Sequence, residues 1–274
     1  MPRTATANVD LHTGVLVGAS GPRKRRFYRN DFERLINTAA NVAINGSFDE
    51  IKGNKNLESD QDFIISGTNF AEGNVTHSTS GGLVLTTTDA AANQCVIFPL
   101  TATDVDTGFS NKVWDTGAES ACEWGFTTDS RIDNQIIFAG LKITDLSAEY
   151  STATGTDDNQ VYVDYIAGSN NNKFLVRYSY GGTDVTIDSG LTMVASTSYW
   201  VKIAFDSSKY VDVFIGKSDE PGAATHIRSR HAITADGLSS STGILTLKPT
   251  FGIQQTTTDQ AIVNMDYVAC GRNR

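Results

Sequence analysis

Cysteine, proline, positive charge and long apolar runs are all scarce in this chain. Its three cysteines (Cys95, Cys122, Cys270) are widely separated, and an odd count argues against a disulfide framework. Free thiols in the interior are the expectation, because cysteine is among the residues most often buried. No apolar stretch approaches the ~20 residues of a bilayer-spanning helix, so no membrane partner is expected. Met1-Pro-Arg-Thr-Ala-Thr6 lacks the apolar core of a secretory signal, which predicts folding in the cytoplasm of synthesis. Five prolines stand against 24 glycines and abundant Thr, Ser, Asn and Asp, the balance of a turn-rich β protein.

Basic residues are few and unevenly placed. Residues 1–34 hold seven of them (Arg3, Arg23, Lys24, Arg25, Arg26, Arg29, Arg34) against three acidic ones, a local charge of +4. The remainder has 15 basic and 28 acidic residues, or −13. An acidic body is a poor partner for phosphates, so nucleic acid is not the expected ligand. Asymmetry of this kind marks an interaction tail.

Metal and nucleophile patterns are also missing. His12, His77, His226 and His231 have no ligand-like spacing with Cys, Asp or Glu, and a zinc site needs three or four convergent ligands. Asp104-Val-Asp-Thr-Gly108 looks like part of a calcium loop but lacks the further oxygen ligands and closing Glu. It reads as a solvated turn. No Ser/His/Asp constellation or phosphate-cradling loop appears. No cofactor and no metal are expected.

What the chain does have is alternation. Gln160-Val-Tyr-Val-Asp-Tyr-Ile166, Lys173 to Tyr180, the short Val185 to Ile187, Tyr199 to Phe205 and Tyr210 to Ile215 follow one another at strand spacing. The cluster Gly168-Ser-Asn-Asn-Asn172 suits positive φ. Upstream, Leu83–Leu85, Gln94–Phe98, Glu123–Phe126 and Asn134–Ile143 read as strands. Downstream, Ile244–Lys248, Phe251–Gln255 and Ala261–Cys270 do the same. Ten or more strands from Leu83 onward predict an antiparallel β-sandwich or jelly roll. Trp200 falls opposite Tyr199, Val201 and Ile203, which places it in a second layer or at an interface.

Residues 1–26 read as an extended arm, followed by one helix. Asn30 or Asp31 would cap it, Phe32, Leu35, Ile36 and Ala39–Ala40 lie at helical spacing, and Asn45-Gly46 would stop it. Residues 46–80 read as a connecting segment or first strands, anchored by Phe48, Ile51, Phe63, Ile64, Ile65 and Phe70. The domain expectation is an arm and docking helix at 1–45, that segment at 46–80, and the sandwich at 81–274.

From Gly82 to Arg274 the chain resembles the concanavalin A-like, laminin-G-like sandwiches of tailed bacteriophages. The resemblance is carried by Trp124 and Phe126, Ile137–Ile143, Asp157–Val163, Lys173–Tyr178, Gly181–Asp184, Ser196–Tyr199, Phe205–Ser208, Phe251–Ile253 and Asp266–Ala269. It implies a virion structural protein, made in the host cytoplasm and carried on the capsid exterior, with no catalytic residues. The leading reading is a capsid decoration or cement protein. It would form a dimer or trimer and grip the major capsid protein or other virion subunits. Its partner-binding residues would be Arg23, Lys24, Arg25, Arg26, Phe27, Tyr28, Phe32, Leu35 and Ile36. The alternatives are a tail-fibre module that recognises a host glycan and a shell-forming jelly-roll coat protein. Concanavalin A-like glucanases place Glu-x-Asp-x-Glu on one strand, giving paired carboxylates for acid and nucleophile. No such run occurs, and Asp164 and Asp212 stand singly, so the expectation is that the chain is not an enzyme.

Overall fold

The computed structural model describes residues 8–10, 15–17, 26–30, 49–52, 61–70, 72–78, 81–99, 114–115, 120–142, 160–180, 183–233 and 246–272. Nineteen strands run through them. The first three are β1 (Asn8–Asp10), β2 (Val15–Val17) and β3 (Arg26–Asn30). The next are β4 (Asp49–Lys52), β5 (Gln61–Ser66), β6 (Val75–His77), β7 (Leu83–Thr86) and β8 (Gln94–Pro99). Then come β9 (Trp114–Asp115), β10 (Ser120–Thr128), β11 (Gln135–Lys142), β12 (Gln160–Ile166) and β13 (Lys173–Tyr180). The last are β14 (Thr183–Thr192), β15 (Ser198–Phe205), β16 (Val211–Lys217), β17 (Thr225–Arg228), β18 (Thr246–Gln255) and β19 (Ile262–Arg272).

They form two antiparallel sheets packed face to face. Sheet I has the order β17-β16-β15-β10-β19-β7-β6, with β3 beside β19. Sheet II has the order β14-β13-β12-β11-β18-β8-β5-β4, with β9 beside β18. β1 and β2 pair with each other. The expected antiparallel sandwich is thus the observed architecture.

Period-two alternation does the folding work. In β15, Tyr199, Val201, Ile203 and Phe205 are buried while the residues between them are partly exposed. The inward side chains of the two sheets meet in one core that includes Trp124, Phe126, Tyr165, Phe174, Tyr178, Tyr199 and Phe251. Phe126 of sheet I lies 5.4 Å from the ring of Phe251 and 6.4 Å from that of Phe174, both in sheet II. Within sheet I it stacks on Tyr199 at 5.9 Å.

Turn chemistry explains the sharp reversals. Between β12 and β13, Gly168 has φ 72°, and Asn170, Asn171 and Asn172 have φ 49°, 54° and 58°. Asparagine and glycine are the residues that tolerate this region, as their clustering predicted. Pro249 sits inside β18, a position that would cost a ladder hydrogen bond in most central strands. On one edge Lys248 to Gln255 of β18 pair with β11. On the other, β8 takes Phe251–Gln254, while β9 pairs with Thr246–Leu247, so proline falls between the residues those two strands take. This gap lets two expected strands fuse into one.

Strands of both sheets lie within 46–80: β5 pairs with β8, β4 with β5, and β6 with β7. Residues 26–30 are not free arm: β3 adds to β19, with Tyr28 opposite Cys270 and Phe27 opposite Gly271. The helix expected after Asn30 lies outside the described residues, as does Asp104–Gly108.

Candidate functional site

The outward side of sheet I brings together side chains that are far apart in sequence. Register places them in rows across the strands. One row runs Tyr267–Gly125–Trp200–Gly216, from β19 through β10 and β15 to β16. The next runs Ala269–Glu123–Lys202–Phe214–His226. A third runs Gly271–Ala121–Ala204–Asp212–Arg228. Strands lie ~4.8 Å apart and alternate residues ~7 Å apart, so five strands and three rows span about 19 Å by about 14 Å.

Two glycines let aromatic rings lie flat on it. A Cβ on Gly125 would stand 2.1 Å from Cε1 of Tyr267, so the Tyr267 ring covers Gly125. A Cβ on Gly216 would stand 2.9 Å from Nε1 of Trp200, so the indole covers Gly216. Beside them the His226 imidazole stacks on Phe214, with centroids 4.4 Å apart and planes at 6°. Lys202 Nζ lies 5.6 Å from the Phe214 centroid, within cation–π reach. Trp200, Lys202 and Phe214 are half-buried, and His226 and Arg228 are exposed.

Polar groups edge the rings. The Tyr267 hydroxyl donates to Glu123 Oε1 at 2.6 Å in a buried pair. Asp212 is 6% exposed. It meets His226 Nε2 at 2.8 Å and accepts from Arg228 Nη1 at 2.7 Å. Arg228 also donates to Asp206 and lies over the Tyr210 ring. The Asp206 bond is the main reason its guanidinium holds its proton even more firmly than usual. Toward the Trp200 end, Thr127 Oγ1 donates to Asp266 Oδ2 at 2.9 Å and sits 2.7 Å from the Ser198 hydroxyl.

Burial pushes the Asp266 carboxyl above its ordinary range, against the smaller opposing effect of the Thr127 bond. A raised folded-state value favours the neutral form. The stability it contributes is present below the unfolded value and lost as pH rises through the folded one. Asp266→Asn is therefore expected to melt higher than the parent at pH 7, with the gap closing as pH falls toward 3. Thermal melts at pH 3, 5 and 7 check this, and a gap independent of pH contradicts it.

The other outward face is built differently. On sheet II, Val96, Ile136, Phe138 and Tyr162 form a buried apolar cluster, with Ile166 packed against it. Asp164, fully buried, accepts from Arg177 Nε at 2.9 Å.

Expected site residues fall in two groups. Arg26, Phe27 and Tyr28 lie on β3, whose register continues the third row of sheet I past Gly271. Arg23, Lys24, Arg25, Phe32, Leu35 and Ile36 lie outside the described residues. Trp124, Tyr165 and Tyr178 lie in the core, whereas Trp200, which alternation sets apart, is half-buried on the outward side. Glu123, Lys202, Phe214 and Tyr267 were not singled out, nor were the glycines beneath the rings. Among the described residues no group of three or more His, Cys, Asp or Glu side chains is placed to hold a metal. None of their helices is long and apolar enough to cross a membrane.

No protein-family model and no curated protein matches the chain by sequence. Solved structures do match its fold. A β-1,3-glucanase from Mycobacterium marinum superimposes with a TM-score of 0.52 at 12% identity, over 92% of this chain and 100% of that one. The winged bean acidic lectin, solved with methyl-α-D-galactose, gives 0.51 at 9% identity, over 92% and 100%. A protein of unknown function from Shewanella oneidensis MR-1 gives 0.51 at 13% identity, over 94% and 90%. The fold is a concanavalin A-like jelly roll. At these identities the likeness is one of fold. It still corrects the expectation that the chain is not an enzyme, since the same sandwich serves a glucanase. One carboxylate run of period two, Glu58-Ser-Asp-Gln-Asp62, leads into β5, with Glu58 to Asp60 outside the described residues.

Proposed function

We propose that this chain is a glycan-recognition jelly roll that holds sugar rings on the outward face of sheet I. The observation that carries the reading is the half-buried Trp200 ring laid over Gly216 beside Lys202, Phe214 and the exposed His226. A pyranose has an apolar face of C–H groups, which packs on the electron-rich face of an aromatic ring. Its hydroxyls need polar partners at the rim, which the His226 imidazole, the Lys202 ammonium and the Arg228 guanidinium supply. The lectin among the fold neighbours, solved with a galactoside, supports the class of ligand.

The test is a glycan array with purified full-length protein, followed by calorimetry on the oligosaccharides retained. Saturable binding that weakens in a Trp200→Ala variant is the expected result. Silence across neutral, acidic and amino sugars overturns the reading, as does binding indifferent to that substitution. A reducing-end assay on the same mixtures separates capture from cleavage.

The setting we propose is a phage virion, supported by the sequence resemblance from Gly82 onward and by the basic segment before β3. The body would then be displayed on the head as a dimer or trimer, held by Arg23–Tyr28 and the segment with Phe32, Leu35 and Ile36. Deleting residues 1–26 is expected to release the protein from purified capsids. Retention at wild-type occupancy contradicts the arm's role.

A further inference from the structure

β10 and β19 are neighbours at the middle of sheet I, and their register sets Cys122 directly opposite Cys270. Both side chains point into the core and neither has any exposed surface. The two thiols are free. Opposed residues in an antiparallel pair have Cα atoms about 4.5 or 5.5 Å apart, and a disulfide takes Cα separations of about 4.4–6.8 Å. The Cα spacing of such an opposed pair falls within the range that a disulfide takes. We infer that Cys122 and Cys270 are a latent cystine, which closes when the chain folds or opens in an oxidising medium and staples β10 to β19.

The chemistry needs a disulfide oxidant such as glutathione disulfide. One thiol loses its proton and attacks a sulfur of the oxidant, forming a mixed disulfide and expelling one glutathione thiolate. The second protein thiolate then attacks the protein sulfur of that mixed disulfide and expels the other. Two protein thiols are oxidised, one oxidant disulfide is reduced, and the two protons end on the two glutathiones. Access decides when this happens. Burial, and then the neighbouring Cys270, hold the Cys122 thiol well above its usual range, and neither side chain is exposed to an oxidant in the folded chain. Cys95 sits apart on β8, pushed up to about 12 by burial, with its Sγ 3.8 Å from the Asn74 carbonyl oxygen. It takes no part.

The bridge would close a loop of roughly 150 residues, long enough for a large effect on the unfolded chain. Full-length protein is unfolded and refolded in a glutathione redox buffer, and separately produced in an oxidising and a reducing cytoplasm. The oxidised samples are expected to lose the mass of two hydrogens, to yield a linked peptide containing Cys122 and Cys270, and to melt about 5–10 °C higher. Cys95→Ser should keep all three changes, while Cys122→Ser and Cys270→Ser should lose them. Folded protein that retains three titratable thiols in both oxidising preparations overturns the inference. A bridge that involves Cys95 overturns it equally.

Discussion

Truncating Phe126 to alanine is expected to lower the unfolding free energy by about 3–5 kcal/mol, the range for large aromatic side chains in a core. The site has little room to relax. Phe126 is 1% exposed and touches rings on both sheets: Phe251 and Phe174 on one side, Tyr199 on its own. Phe174 also packs on Tyr199 at 5.2 Å and on Tyr165 at 6.3 Å, so the cavity would open at the junction of four strands besides β10. Interiors at crystal-like density do not collapse into such gaps without moving backbone. The check is denaturant unfolding with two probes. A midpoint shift at constant slope is the expected form, and a loss below about 1 kcal/mol contradicts the packing described. Phe174→Ala should cost a similar amount, and the double variant less than the sum, since both remove the same contacts.

Trp200→Ala is expected to weaken glycan binding by about 10- to 100-fold while changing stability little. Aromatic anchors dominate binding surfaces because they combine large area with few rotors. Trp200 is half-buried on the outward face, and its loss opens no core cavity. Trp200→Phe should recover part of the affinity, because a smaller flat ring remains. Gly216→Val should act like Trp200→Ala without touching the indole itself, because a branched side chain there displaces the ring from beneath. Calorimetry against the best oligosaccharide from the array reads all three. Equal affinities across the set would remove Trp200 from the site.

The sequence made some of this plain and hid the rest for physical reasons. Strands β12, β13, β15 and β16 are written in local alternation, which needs no knowledge of partners. The same rule isolated Trp200. β14 is legible only as Val185 to Ile187, because half of its ten residues are solvent-facing polar ones. β3 hides in a basic run, where arginines break the alternation that marks a strand. The rows on sheet I depend on pairing residues about 80 and 145 positions away, such as Gly125 with Trp200 and with Tyr267. No local pattern carries that information. Cys122 and Cys270 look remote for the same reason, and register makes them neighbours. The glycines beneath the rings read as generic strand breakers until the ring above each is known.

The placement of β18 and β19 governs how the molecule can be made. They follow every other described strand in chain order, yet β18 lies between β11 and β8, and β19 between β10 and β7. On a ribosome neither sheet becomes continuous until residues 246–272 have emerged. Until then β10 and β11 each present a long unpaired edge, the kind of surface that invites pairing with another chain. Closing both sheets at once also joins segments more than 100 residues apart, which is slow on topological grounds. Synthesis therefore leaves a window of exposure that ends abruptly. Translation rate and chaperone supply near the end of the β18–β19 coding region should control yield more than any surface substitution.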